Sequence, residues 1–287
     1  MPFSSMDDLV NEITSGKFQR TDWNKLTGGA AYTAGRWFDL SGLAGTPVAN
    51  AFSGTALAWQ STNEASGFGL PHGGNVSPDT KHILNVSAVT SVATGVPAQL
   101  MLIDLQGYWP GITNNSATAQ TLTGTPTLRY TNGAGCRLFW VQTATAGATA
   151  QNISVSYSNT TPTSGRALPV TVAMTASAIA PHISHSGTAA NNYGPFLPLA
   201  SGDTGVSTVA TVTFSAANTG TGALCLARPL LTLPLTTASV SAERDLLNQL
   251  PSLPRVMDGA CLTWLYFAGA ATGASTNFYG AVEFGWG

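Results

Sequence analysis

From about residue 46 onward the chain is written in short runs rich in Thr, Val and aromatic residues: CRLFWVQTATA, QNISVSYSNT, LPVTVAMTA, STVATVTFSAA, CLTWLYFAGAA and FYGAVEFGWG. Several alternate apolar with polar residues, turns of Gly, Asn, Pro and Ser bound them, and they recur about every dozen residues. Alternation with period two puts successive side chains on opposite faces, which is the signature of a half-buried strand. Helical periodicity is nearly absent, so alternating α/β units are excluded and the pattern predicts an all-β chain of sandwich or jelly-roll type.

The same text occurs twice. Residues 125–140 read TPTLRYTNGAGCRLFW and residues 250–265 read LPSLPRVMDGACLTWL. At an offset of 125, Pro126 meets Pro251, Leu128 meets Leu253, Cys136 meets Cys261, Ala146 meets Ala271 and Asn152 meets Asn277. Upstream, Gly95 meets Gly220 and Ala98 meets Ala223, just before the apolar runs LMLIDL and LCLARPLL. With a small shift, Leu70-Pro71 lies beside Leu197-Pro198 and Asp79-Thr80 beside Asp203-Thr204. Order and spacing together indicate an internal duplication, and 287 residues suffice for two related sandwich units, each with its own core. The expected division is a helix and docking arm over 1–45, a first unit over 46–165 and a second, related unit over 166–287.

The first segment differs in composition. Seven of the 24 charged residues fall within the first 25 positions. Ser5 is placed as an N-cap, Asp7 and Asp8 complement the helix dipole in the first turn, and Leu9, Val10 and Ile13 form an apolar side. A short amphipathic helix outside the duplicated units follows. Residues 26–45 contain too much Gly for a helix and carry Tyr32, Trp37 and Phe38, so they read as an extended arm that needs a surface to dock on. A second helix, of two turns, is expected in SAERDLLNQLP, capped by Ser241 and closed by Pro251. Between Arg166 and Arg228 the only charge is Asp203, and so neutral a stretch is expected to pack against another unit or chain.

Charged residues make up 8% of the chain, and 11 Lys and Arg against 13 Asp and Glu leave a net charge of −2 with no run of like charge. Nucleic-acid binding thus loses most of its electrostatic basis. No apolar stretch approaches about 20 residues, and the early acids do not fit a signal peptide, so neither membrane insertion nor secretion is expected. Cys136, Cys225 and Cys261 cannot all pair within one chain and match no zinc spacing, so they are expected to be buried free thiols.

Catalytic patterns are missing. There is no GxSxG, no phosphate-binding loop, and no GxGxxG leading into a helix. His182 and His185 in PHISH are three apart, which on a strand points them to opposite faces; turn or interface histidines fit better than a metal pair. His72 in LPHGGN reads as a loop residue. Asp79 and Asp203 occupy matched places, one per unit, which suits a repeated turn rather than a joint acid/base pair. Asn75, Asn85, Asn152 and Asn159 head glycan-acceptor triplets that arise by chance in a chain this rich in Ser and Thr. Trp140 and Trp264, following the matched cysteines, read as core; Trp59, Trp109 and Trp286 are less constrained and leave a sugar-stacking surface open. No catalytic, metal or cofactor residue is assigned.

The stretches SGTAANNYGPFLPLASGDTG, LPSLPRVMDGACLTWLYFAGAATG and TLRYTNGAGCRLFWVQTATAGATAQNISVSYSN resemble a family of virion structural proteins of tailed bacteriophages. The resemblance runs from about residue 45 to the end, is a likeness of running text, and offers no active-site residues. It implies a virion setting; joined to the neutral Ala/Gly/Thr β surface, the charged N-terminal helix and the aromatic arm, it leads to the expectation of a non-enzymatic structural protein, first a head decoration or cement protein bound to the major capsid protein, as a homo-oligomer such as a trimer. Two alternatives remain open: a receptor- or carbohydrate-binding module of a tail or fibre, and a coat protein that builds the shell itself.

Overall fold

The computed structural model describes residues 3–27, 32–187, 194–249, 253–273 and 276–287. Helix α1 (Met6–Thr14) opens the chain, followed by β1 (Phe18–Leu26), β2 (Arg36–Asp39), β3 (Ala44–Thr46), β4 (Gln60–Ser61), β5 (Lys81–Thr90) and β6 (Ala98–Thr113). Then come β7 (Gln120–Thr121), β8 (Arg137–Ala144), β9 (Gln151–Asn159), β10 (Arg166–Ala167), β11 (Val172–Met174) and β12 (Val206–Phe214). The chain finishes with β13 (Thr221–Leu235), β14 (Ala242–Asp245), helix α2 (Leu246–Gln249), β15 (Arg255–Val256), β16 (Leu262–Ala268) and β17 (Asn277–Trp286). The fold is all-β: among the described residues the strands form three antiparallel sheets.

The first sheet runs β14-β5-β17-β1-β3 with β15 also beside β5; the second runs β2-β16-β6-β13-β8 with β4 beside β6; the third runs β10-β9-β12-β7 with β11 beside β9. Strands β12, β13, β16 and β17 lie about 125 residues after β5, β6, β8 and β9, so the repeated text coincides with a repeated order of strands. The two halves do not stand side by side, however. β5 pairs with β17 and β12 with β9, each a partnership between halves, and β6 pairs with β13 along nearly its whole length. Strand pairing therefore crosses the expected division at 165/166 in all three sheets.

Burial explains this arrangement. The long strand β13 sends Leu224 and Leu226 into the core beneath the third sheet, then Leu231, Leu233 and Leu235 into the core beneath the first. On its other face, Ala223, Cys225 and Ala227 line a third core together with Ile103 and Leu105 of β6, Phe139 and Val141 of β8, and Leu265 of β16. Strands buried on both faces read as near-continuous apolar runs, which is why LMLIDL and LCLARPLL, apart from Asp104 and Arg228, lack alternation. The second sheet thus curls around one core, and its outer surface is covered by the first sheet on one flank and the third on the other.

The N-terminal segment belongs to this body. Ser5 caps α1 as expected, its Oγ accepting the Asp8 N–H at 3.1 Å. The apolar side is narrower than expected, because Leu9 is buried against the body while Val10 is 53% exposed. The segment expected as an arm adds β1 along β17 from Phe18 to Leu26 and β2 along β16 from Arg36 to Asp39. Tyr32, Trp37 and Phe38 are buried, with Tyr32 stacked on Phe38 at 4.1 Å, so the surface these aromatics dock on is their own chain. An extended segment beside an unpaired strand satisfies a whole row of backbone groups, which favours docking at home.

The helix expected at 241–251 is mostly strand. Ala242–Asp245 pairs with β5, Glu243 accepts a hydrogen bond from the Asn85 amide at 2.7 Å, and helical geometry begins only at Leu246. Asp245, rather than Ser241, caps it by accepting the Leu247 N–H at 3.0 Å. The β5 edge outcompetes two turns of isolated helix, which are marginal by themselves. Pro251 lies outside the described residues. The turn before β8 matches the sequence: Gly133 has φ +72°, and a Cβ there would fall 1.8 Å from the Val206 carbonyl oxygen, so only glycine fits.

Candidate functional site

The PHISH segment closes the curled second sheet. On one side it meets β2: Phe38 and His182 form a bridge, the Ile183 N–H donates to the Trp37 carbonyl at 3.0 Å, and the Asp39 N–H donates to that of Pro181 at 3.1 Å. On the other side it meets β8, where the Gln142 N–H donates to the His182 carbonyl at 2.9 Å and the Trp140 N–H to His185 Nε2 at 3.2 Å. A ring of backbone segments results, β2-β16-β6-β13-β8-(181–186), with Ile183 inside it. The neutral stretch expected to pack against something packs against its own sheet edges; residues 188–193 lie outside the described residues.

His185 is specified down to its tautomer. Because Nε2 accepts from a backbone N–H, the proton sits on Nδ1 and the ring is neutral. Burial holds His185 down at about 3, and His182, stacked on Phe38 at 4.9 Å, is pushed down to about 3 by burial and by Arg36. Protonating either ring puts an uncompensated charge in the latch. The pair acts as an edge lock, and its members face different partners.

The remaining histidine cluster is a loop anchor. His72 Nε2 donates to the Ala260 carbonyl at 3.0 Å, and Nδ1 accepts from Lys81 Nζ at 3.0 Å. Lys81 Nζ places its other two donors on the carbonyls of His72 and Gly74, at 2.5 and 2.6 Å. An ammonium has three donors, so this one is saturated. Glu64 accepts the backbone N–H groups of His72, Gly73 and Gly74 at 2.6, 3.2 and 3.0 Å. Base, ammonium and carboxylate are thus all engaged in holding residues 72–74.

Asp79 and Asp203 each sit in a turn, their N–H groups donating to the carbonyls of Val76 and Ala200 at 2.9 and 3.0 Å. Asp79 pairs with Lys17 at 2.9 Å. Asp203 accepts from Tyr157 Oη at 2.6 Å, Asn159 Nδ2 at 2.8 Å and Arg166 Nε at 3.0 Å. Burial raises its carboxyl, but the hydrogen bonds from Asn159, Tyr157 and Arg166 outweigh it and hold the group down at about 2. The two carboxylates serve separate turns. Cys136, Cys225 and Cys261 are free and buried; burial pushes the thiols of Cys136 and Cys261 up to about 12 and that of Cys225 well above its usual range. Among the described residues no three His, Cys, Asp or Glu side chains are grouped to hold a metal ion.

Sequence reasoning missed the strongest buried charge pair. Asp104, fully buried in β6, receives Arg129 through Nε at 3.1 Å and Nη2 at 2.5 Å, plus the Cys261 N–H at 3.0 Å. Arg129 also donates to the Thr62 and Leu105 carbonyls. The one signal was an acid inside the apolar run LMLIDL, which has to find a partner once buried. Beside it opens a cleft of about 580 Å³ that Arg129, Tyr130, Arg228 and Arg255 line.

Of the aromatics, Trp140 and Trp264 are core, as is Trp109, which packs on the half-buried Trp59. Trp286 is half-buried over Lys81 Nζ at 5.3 Å. A groove of about 540 Å³ on the first sheet brings Tyr279, 40% exposed, beside Arg20, Asp22 and Asn24.

No protein-family model matches the chain, and no curated protein matches it. Among solved structures it is similar to the crystal structure of the infectious bursal disease virus VP2 subviral particle, at 8% identity over 93% of this chain and 80% of that one, with a TM-score of 0.18. The structure of the infectious bursal disease virus Gt strain stands alongside, at 8% identity over 94% and 79%, with a TM-score of 0.17. At such TM-scores the likeness does not amount to a common fold. No helix among the described residues is long and apolar enough to cross a membrane.

Proposed function

We propose that this chain is a structural protein of a phage particle, a head decoration or cement protein that binds the major capsid protein and stabilises the shell. The observation that carries this reading is the interleaving of the duplicated halves: each half supplies strands to all three sheets, and its buried polar groups serve as ties. Such a body resists local opening, because releasing any of the long strands β5, β6, β8, β9, β12, β13 or β17 breaks pairing with the other half. Its candidate reactive groups are engaged in structural bonds, which supports a role without catalysis. The resemblance of the running text to tailed-phage virion proteins supplies the setting. The gripping element of that reading is narrower than residues 1–45, since β1, β2 and β3 are built into the chain's own sheets; α1 is the part left to reach a neighbour.

Cryo-electron microscopy of particles from the producing culture tests this directly. Ordered copies of the chain on the head shell are expected. Copies that tile the shell alone point instead to a coat role, and location on a tail or fibre favours host recognition. The groove around Tyr279 gives that second reading a place to act, and it predicts quenched or shifted tryptophan fluorescence on titration with host oligosaccharides, Trp23 lying in the same groove.

A further inference from the structure

The molecule's few charges are almost all engaged internally. Among the described residues every carboxylate except Asp7 accepts a hydrogen bond or ion pair, down to exposed groups such as Asp258, which takes the Val76 N–H at 3.1 Å. Asp7 is exposed on the first turn of α1, next to Met6 at 56% and Val10 at 53% exposure. Met6 and Val10 are four apart and so share one helix face. The helix end therefore presents an acid beside an apolar strip.

The cleft beside Asp104 has the opposite character. Arg129 and Asp104 cancel each other, which leaves Arg228 and Arg255 as the net charge of the cleft. Arg228 lies over the Tyr130 ring at 4.5 Å and donates to the Ala134 carbonyl at 2.5 Å. Arg255 is exposed, and its guanidinium has no hydrogen bond or ion pair among the described residues. Pro229, Leu230, Pro254 and Met257 supply the apolar wall. Cleft and helix lie at the same end of the first sheet, because Arg255 is the strand partner of His82 and Phe3, just ahead of α1, packs on the His82 ring at 5.7 Å. One end of the molecule thus carries both halves of a self-complementary contact, which a two-fold interface requires.

We infer that the Arg228/Arg255 cleft is a carboxylate-binding site whose occupant is the first turn of α1 from a second copy of the chain, Asp7 meeting Arg255 while Met6 and Val10 cover the Leu230–Met257 wall. A guanidinium beside an aromatic face and apolar side chains suits such an acidic, apolar helix end. This rests on the homo-oligomer within the function proposed above and names its surface.

Sedimentation velocity on the full chain tests it, with Arg255→Glu, Asp7→Asn and the combined variant. All three lie on exposed positions, and circular dichroism checks that each is folded. Self-association is expected to strengthen as salt is lowered. Arg255→Glu should weaken it more than tenfold and Asp7→Asn about fivefold, and the combined variant should be no weaker than Arg255→Glu alone, since removing Asp7 removes the new repulsion. Losses that multiply, or association that neither change moves, overturn the site while leaving a homo-oligomer through another face. A chain that stays monomeric and instead takes free polyglutamate into the cleft overturns the second copy as occupant; whether it still binds capsid shells then decides the cement reading separately.

Discussion

The two flanks of the curled sheet are built on one plan and held by different chemistry. In the first, β5 and β17 pair and β1 lies beyond β17; in the third sheet, β12 and β9 pair and β10 and β11 lie beyond β9. Likewise β2 lies beside β16, and the 181–186 segment lies beside β8. The N-terminal strands thus take the places in one half that residues 166–186 take in the other, and the two edge segments meet at Phe38 and His182. Polar anchoring is not duplicated. The first flank uses Lys81 bound to His72 and to loop carbonyls, and the other uses Asp203 bound to Tyr157, Asn159 and Arg166. Duplicated backbones keep their pairing because backbone groups are the same at every residue, whereas side-chain ties were free to diverge.

The largest test of that comparison is Arg129→Ala. Asp104 has no charged counterpart in the other half, where Pro229 stands 125 residues on. Leaving a fully buried carboxylate alone should cost about 3 to 5 kcal/mol in denaturant unfolding. A loss below about 1 kcal/mol would mean that water reaches Asp104 and that the asymmetry is superficial.

Acid is the next test. His182 and His185 have folded values of about 3 against 6.5 when unfolded, so the unfolded chain binds protons that the native chain does not. Their contribution is complete above pH 6.5 and is lost as pH falls from there towards 3. Between pH 7 and 5.5 the two together should remove about 2 to 3 kcal/mol. His72 and His82 are also lowered, chiefly by burial, and act in the same direction. His185→Gln, which keeps an acceptor for the Trp140 N–H, should flatten the pH slope; an unchanged slope would move the acid sensitivity to the first flank.

The two matched turns give a finer contrast. Asp203→Asn should cost about 1 to 2 kcal/mol and lower hydrogen-exchange protection in β9 and β12 while sparing β5 and β17. Asp79→Asn, at a partly exposed pair with Lys17, should cost less than about 1 kcal/mol. Equal costs would show that the turns are energetically as well as topologically equivalent. The smallest effect is expected from Val10→Ser on the exposed side of α1, within about 0.5 kcal/mol in dilute monomer.

Much of this was legible in advance. Turn-bounded runs rich in Thr, Val and aromatic residues, several of them alternating, identified what became β8, β9, β11, β12, β16 and β17, the Ser5 cap located α1, and the apolar setting of Trp140, Trp264 and the three cysteines marked them as buried. The repeat was readable where the spacing is constant. It was hidden before β5, because 54 residues separate β1 from β5 and only 31 separate β11 from β12, so a gapless comparison left the N-terminal strands looking like a separate arm. Of the candidate polar residues, Asp203 was visible as a lone charge, but its three partners were not.

What the sequence determined by itself is local: where strands begin and end, which faces are apolar, which turns demand glycine, and that the pattern occurs twice. Only the tertiary structure decided which strand lies beside which, that the halves interleave, that His185 locks the edge of β8, and that Arg129 reaches Asp104. Strand pairing is made by backbone groups that every residue carries, so it leaves no mark in the order of side chains. A buried charge or imidazole specifies that it needs a partner, while the folded chain alone specifies which one.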